Sequence, residues 1–302
     1  MVSTLPLPRP TGIVSRRRFL TAGLFGAAGV ALYSGEVERH WVEITERNVH
    51  LRGLPAAFDG MRIAHLSDIH MDDFTEAYFL RNTIERVNRF KPDAVLMTGD
   101  FVTSEEKPTK SSTLHAHDAA WHCAEILRGL ECKSLYAALG NHDVDAGARE
   151  ITDALVSNGI AVLRNAFLPI ERAGGRIWLA GLDDACSGHP DPEQAVPARI
   201  RSIPNEPVVL MCHAPDYADH LLTQPAGQAV DFMLSGHSHG GQIRLPLIGA
   251  LVLPSLGRKY VEGGFQLGRM QLYVNRGIGT IGVPFRFDCP PEITVHTLRA
   301  SA

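Results

Sequence analysis

Five short apolar runs constrain this chain most. Residues 62–66, 94–97, 134–139, 208–211 and 231–234 are rich in Val, Ile, Leu and Met and too short for buried helices, so they read as strands covered on both faces. Between the earlier runs, residues 76–90 and 116–130 carry apolar side chains at helical spacing, and 148–157 ends at Asn158-Gly159, a helix stop. This β-α-β order predicts an α/β fold. Residues 168–171 and 176–182 flank Ala173-Gly174-Gly175, a hairpin pattern, and 293–298 reads as a closing strand, so the sheets are expected to be mixed. From residue 36 onward there is no linker, charge block or repeat, which predicts one domain over 36–302.

The residues at the C-terminal end of each run carry the chemistry. The chain reads HLSDIH (Asp68, His70), LMTGD (Asp100), ALGNHD (Asn141, His142, Asp143), LMCH (His213) and LSGHSH (His237, His239). In open α/β sheets, ligands bind at the carboxyl ends of the strands, so these segments are expected to converge there. Asp, His and Asn without Cys form an oxygen-and-nitrogen donor set, suited to Mn, Fe, Zn or Ni rather than to calcium or soft metals. The five cysteines are odd in number, scattered and free of C-x-x-C, which argues against both a disulfide framework and a thiolate zinc site. A formal charge of -4 argues against duplex nucleic acid as a partner.

Asp-x-His, Gly-Asp, Gly-Asn-His-Asp, a lone His and Gly-His-x-His, in this order, resemble the calcineurin-like metallophosphoesterases. The stretches Gly240-Gly241-Gln242-Ile243, 272–280 and Pro290-Pro291-Glu292-Ile293 are similar to that family's exported or membrane-associated phosphodiesterase branch. The resemblance implies a four-layer αββα sandwich of two mixed β-sheets flanked by helices. It also implies two divalent metal ions, one held by Asp68, His70, Asp100 and His239, the other by Asp100, Asn141, His213 and His237, with Asp100 bridging. A metal-bridging hydroxide would attack a phosphodiester or pyrophosphate, His142 would protonate the leaving oxygen, and Asp143 would orient His142 through its other ring nitrogen. Thr103 stands where purple acid phosphatases have an iron-binding tyrosine, and the Asp-Arg-Gly of Ser/Thr protein phosphatases is missing, so neither subfamily is implied. A scaffold turned binding module is the non-enzyme alternative; it is disfavoured because every ligand position is filled.

Residues 1–35 contain Arg9, Arg16, Arg17 and Arg18 and no acidic side chain, leaving 25 Lys+Arg against 33 Asp+Glu, a formal -8, in the remainder. Ser15-Arg16-Arg17-Arg18-Phe19-Leu20 followed by the fourteen uncharged residues of 19–32 resembles a twin-arginine leader. The expectation is a signal or retained anchor over 1–35, a partnership with the twin-arginine export machinery, and residence in the periplasm or on the outer face of the cytoplasmic membrane. A lipid-linked phosphoester substrate is expected by analogy with that location.

Other patterns compete for attention. Gly236-His237-Ser238-His239-Gly240 matches the G-x-S-x-G of serine esterases, with Ser238 as nucleophile, but no helical pattern succeeds it. Gly277 to Gly282 matches G-x-G-x-x-G, yet Pro284 stands where a helix should run. His115, His117 and His122 are expected in a polar loop and helix start rather than at a substrate mouth, and His65 as a packed core histidine. The apolar stretch 245–256 is expected as a buried hairpin, with contact to a lipid or membrane surface as its alternative.

Overall fold

The structure is a computed structural model that describes residues 15–301 apart from 72–73, 106 and 108. Its strands are β1 (Glu43–Arg52), β2 (Arg62–Leu66), β3 (Ala94–Met97), β4 (Leu135–Ala137), β5 (Ala161–Val162), β6 (Ala166–Arg172), β7 (Gly175–Gly181), β8 (Val208–Met211), β9 (Val230–Ser235), β10 (Arg244–Leu245), β11 (Gly249–Ala250), β12 (Gly263–Leu267), β13 (Met270–Val274) and β14 (Glu292–Ser301). Two six-stranded sheets result, in the orders β1-β14-β2-β3-β4-β5 and β12-β13-β9-β8-β7-β6. Both are mixed: β14 runs antiparallel to β2, β6 to β7 and β12 to β13, whereas β2, β3 and β4 are parallel, as are β7, β8, β9 and β13.

Alternation along the apolar strands builds the layers. Ala94 and Leu96 face the second sheet, where they join Val209, Met211, Phe232 and Leu234, while Val95 and Met97 face helices. Val208 and Leu210 point to the far side, against Ala195, Ile200 and Leu221 of short helical segments. The order is therefore helix, sheet, sheet, helix, the four-layer sandwich expected from the sequence. Buried Phe79, Leu80, Ile84 and Val87 recur at helical spacing on α2 (Ala77–Arg89) and seat it on the first sheet.

Two helices start earlier than their apolar periodicity indicates. α3 (Lys110–Leu127) is set by a reciprocal cap between Thr109 and Ser112. α4 (Asn141–Ser157) begins within the Gly-Asn-His-Asp motif, with Asp143 completing a cap on Gly140 and Gly147 (φ 128°) kinking it where periodicity resumes. β1 was not visible in the sequence: it is an edge strand with mostly exposed side chains, held by parallel pairing to β14. Residues 245–256 do form a hairpin at β10–β11, but the expectation that it is buried is wrong, for Leu247, Ile248, Leu251 and Val252 are exposed. At the N-terminus, α1 (Arg16–Leu32) buries no side chain and runs on through further helical turns to His40. This 25-residue segment is long and apolar enough to cross a membrane by length and composition. Arg9 lies outside the described residues.

Candidate metal centre

In-register strand ends bring the motifs together. Leu66 pairs with Met97 and Met97 with Ala137, and past the strands the ladder continues: Asp68 N–H donates to the Gly99 carbonyl and Ile69 N–H to that of Asp100. In the other sheet Met211 pairs with Leu234, which sets His213 beside Gly236. The sheets meet where His237 N–H donates to Asp68 at 2.9 Å.

Two buried groups of side chains face each other there. Asp68, His70 and His239 form one, Asp100, His213 and His237 the other, and each could hold a metal ion. Ring nitrogens approach head to head, His70 Nε2 to His239 Nε2 at 3.1 Å and His237 Nδ1 to His213 Nε2 at 3.2 Å. Asp100 Oδ2 lies 3.1 Å from His213 Nε2 and 3.7 Å from His70 Nε2, which puts this carboxylate between the groups. Asn141 Oδ1 is buried without a hydrogen-bond partner, a state that is rare in native proteins unless a ligand or ion meets the oxygen. The donor set thus fits divalent cations.

Outer contacts fix which nitrogen faces inward. His213 Nδ1 meets the Thr98 carbonyl at 2.6 Å and His237 Nε2 the Ser255 carbonyl at 2.7 Å, so each donates outward and turns its other nitrogen into the site. His70 Nδ1 lies 3.1 Å from Thr103 Oγ1. Burial pushes His70 down to about 3 and His237 to about 4, so both are neutral donors at neutral pH. Burial also disfavours a charged His213, but the adjoining Asp100 outweighs it and holds His213 well above its ordinary value. Buried carboxylates here demand positive charge nearby.

The backbone is strained at this place. Asp68, His70, Asp100, His237 and His239 all have φ between 48° and 71°, the left-handed region that side chains other than glycine rarely enter. Glycine is required alongside: a Cβ on Gly236 would lie 2.2 Å from Asp68 Oδ2, and one on Gly140 equally close, 2.2 Å, to Asp100 Oδ1.

One expected role is corrected. Asp143 does not reach the ring of His142; its Oδ2 accepts from Asp100 N–H (2.8 Å) and Gly140 N–H (3.0 Å), its Oδ1 from Phe101 N–H (2.8 Å) and Val102 N–H (3.3 Å). The carboxylate at the first turn of α4 is turned inward and tethers the Asp100 loop. Burial and then the Asp100 charge push it up to about 7, against the pull of those amides. His142 is oriented instead by Ser104, whose N–H donates to Nδ1 at 3.0 Å, so the ring's proton resides on Nε2.

Thr103 and Ser104 were missed as contributors, although they stand just past the Gly-Asp motif. Asp184, beyond β7, is buried and accepts from Cys186 and Ser187 N–H while its Oδ1 has no partner. Ser238 Oγ donates to the Val261 carbonyl and accepts from Gly240 N–H, a structural tie rather than a nucleophile's setting. His115, His117 and His122 lie within α3 and not in a loop, His117 Nε2 bonding the Ala146 carbonyl at the kink of α4, and His65 is buried with Nε2 on Thr98, as a packed histidine.

A family model described as calcineurin-like phosphoesterase matches residues 61–241, the segment that carries all these side chains. The chain belongs to that family. Among its relatives it is 35% identical to the uncharacterized metallophosphoesterase YkuE of Bacillus subtilis, over 95% of this chain and 99% of the relative. It is 31% identical to phosphodiesterase YaeI of Escherichia coli, over 95% and 100%. It is 26% identical to UDP-2,3-diacylglucosamine pyrophosphatase LpxG of Chlamydia trachomatis, over 87% and 91%. As a calcineurin-like phosphoesterase, the protein is a metal-dependent phosphoric ester hydrolase.

Proposed function

We propose that this enzyme hydrolyses a phosphodiester or pyrophosphate bond at a two-cation centre. Asp68, His70, Asp100 and His239 would hold one ion and Asp100, Asn141, His213 and His237 the other, with Asp100 common to both sets. The observation that carries this reading is the placement of Asp100 Oδ2 between His213 and His70, together with the unpartnered Asn141 Oδ1. Two divalent cations, when bound, supply Lewis acidity for activating water and neutralising phosphoryl oxygens. The chain's own residues do the rest. Asp143 and Gly140 hold the Asp100 loop against α4, His142 presents its Nε2–H to the leaving oxygen, and Ser104 fixes that ring.

The substrate we favour is lipid-linked or part of the cell envelope. Supporting it is the cleft of about 480 Å³ above the centre, where Asp100, Asn141 and His142 meet a wall of Ile243, Leu251, Val252 and Val283. The name of LpxG points the same way, being that of a pyrophosphatase for a diacylated sugar nucleotide. Residues 1–35, with Arg16-Arg17 in the first turn of an exposed apolar helix, serve as a twin-arginine signal or anchor, and 36–302 form the catalytic domain in the periplasm or on the outer face of the cytoplasmic membrane. The test is hydrolysis of an aryl phosphodiester by the metal-loaded full chain. Chelation and Asp100→Asn are each expected to abolish it, with loss of bound metal in both; full activity after exhaustive chelation overturns the reading.

A further inference from the structure

The hairpin beside the cleft carries apolar side chains outward. Leu247 at its tip is 108% exposed relative to an extended reference, Ile248 72% and Val252 79%. Leu247 also adopts φ 68°, a conformation for which Gly or Asn is the ordinary choice, so an apolar side chain is held outward at some cost in strain. The same segment is a wall of the catalytic cleft, since Leu251 and Val252 line it together with Asn141 and His142. Val283, also exposed, stands on the rim.

A second, independent feature says what covers this face. The exposed apolar α1 joins the body through residues 33–41, and these pack on the loop that continues from Val283: Ser34 carbonyl accepts from Arg286 N–H at 3.1 Å, and Glu38 Oε1 from Cys289 N–H at 2.7 Å. Tyr33, Trp41 and Pro246 line one surface cleft, so α1 leaves the body next to the turn of the hairpin. Tyr33 and Trp41 are half-exposed and exposed aromatics at the end of a spanning-length apolar helix, the residue types that settle at the headgroup level.

We infer that α1 and the tip of the β10–β11 hairpin enter the same bilayer leaflet, so that the cleft opens at the membrane surface and receives its phosphoester from a lipid within that leaflet. The substrate part rests on the function proposed above; the seating of the hairpin does not. Singly exposed apolar residues are common, but here several lie in one segment contiguous with the catalytic cleft and with an apolar helix.

The experiment uses the full chain reconstituted in vesicles of phosphatidylglycerol and phosphatidylethanolamine doped with a phospholipid bearing a photoreactive acyl chain. After illumination, peptide mapping is expected to find lipid adducts at residues 247–252 as well as at 19–32, and none at exposed Leu114 or Val156 on α3 and α4. Leu247→Ser with Ile248→Ser should lower the hairpin adducts by about tenfold while the α1 adducts persist. Adducts confined to 19–32 overturn the proposal. Metal-dependent hydrolysis of a soluble aryl phosphodiester, measured on the same samples, reports separately on the catalytic reading: its loss with adducts intact would sink the function and leave the membrane seat standing.

Discussion

Replacing Asp143 by Asn separates two accounts of that residue. If the carboxylate only oriented His142, the change would slow turnover and leave the fold alone. In the structure both oxygens accept backbone N–H groups, at 2.8 and 3.0 Å on one side and 2.8 and 3.3 Å on the other. An amide has one oxygen, so one side must present an NH2 to two donors, and the better choice sacrifices the pair that includes the 3.3 Å contact. At pH 8, above the value of about 7 to which Asp143 is raised, the carboxylate is ionised; hydrogen bonds to a charged acceptor are worth about 1.5–3 kcal/mol each, so the loss is roughly 3–4 kcal/mol. Relief of the repulsion from Asp100, one of the causes that raise Asp143, returns part of this and leaves about 2 kcal/mol. With a urea slope of about 3 kcal/mol/M for a chain of this size, the midpoint should fall by roughly 0.7 M. The assay is urea unfolding of the full chain monitored by tryptophan fluorescence, with bound metal measured in parallel. Because the same amides hold Asp100, metal content should drop too. An unchanged midpoint and full metal content with lowered turnover would refute the tether and restore the orienting role.

The neighbours of the centre give further expectations. Thr103→Val removes the hydroxyl on His70 Nδ1 while keeping side-chain shape, and should weaken metal binding by about tenfold in a competition titration; unchanged affinity would show that Thr103 does not hold that ring. Ser104→Ala keeps the backbone N–H on His142 Nδ1 but loses the hydroxyl at 2.9 Å, so turnover should fall several-fold, about 1 kcal/mol in barrier, at constant metal content. Gly236→Ala places a Cβ 1.9 Å from Ser67 Oγ and 2.2 Å from Asp68 Oδ2, and should lower both the melting temperature and the metal content; a variant with both intact would contradict the close approach. Changing Arg16 and Arg17 together to Lys should retain the protein in the cytoplasm on fractionation, whereas unaltered export would remove the twin-arginine assignment.

Much of the fold was open to inspection in the sequence because its causes are local. Strands buried on both faces need continuous apolar runs, and 62–66, 94–97 and 208–211 coincide with β2, β3 and β8. β1 escaped because an edge strand with solvent on one side and a polar sequence is held by its partner β14 rather than by its own pattern. Helix starts at α3 and α4 escaped because caps, not periodicity, set them.

The sequence by itself determined the donors: which Asp, His and Asn side chains stand at strand ends, and that they carry oxygen and nitrogen rather than sulfur. Only the tertiary structure decided which of them meet, since Asp100 meets His213 across the inter-sheet rim and Asp143 meets the Asp100 amide from 43 residues away. It also decided that Ser104, not Asp143, holds His142, and that the hairpin after Gly-His-x-His faces outward. The physical reason is one of range. Strand and helix periodicity is written in neighbours two to four residues apart, whereas hydrogen-bond partnership and burial depend on which distant segments the packed layers bring within about 3 Å.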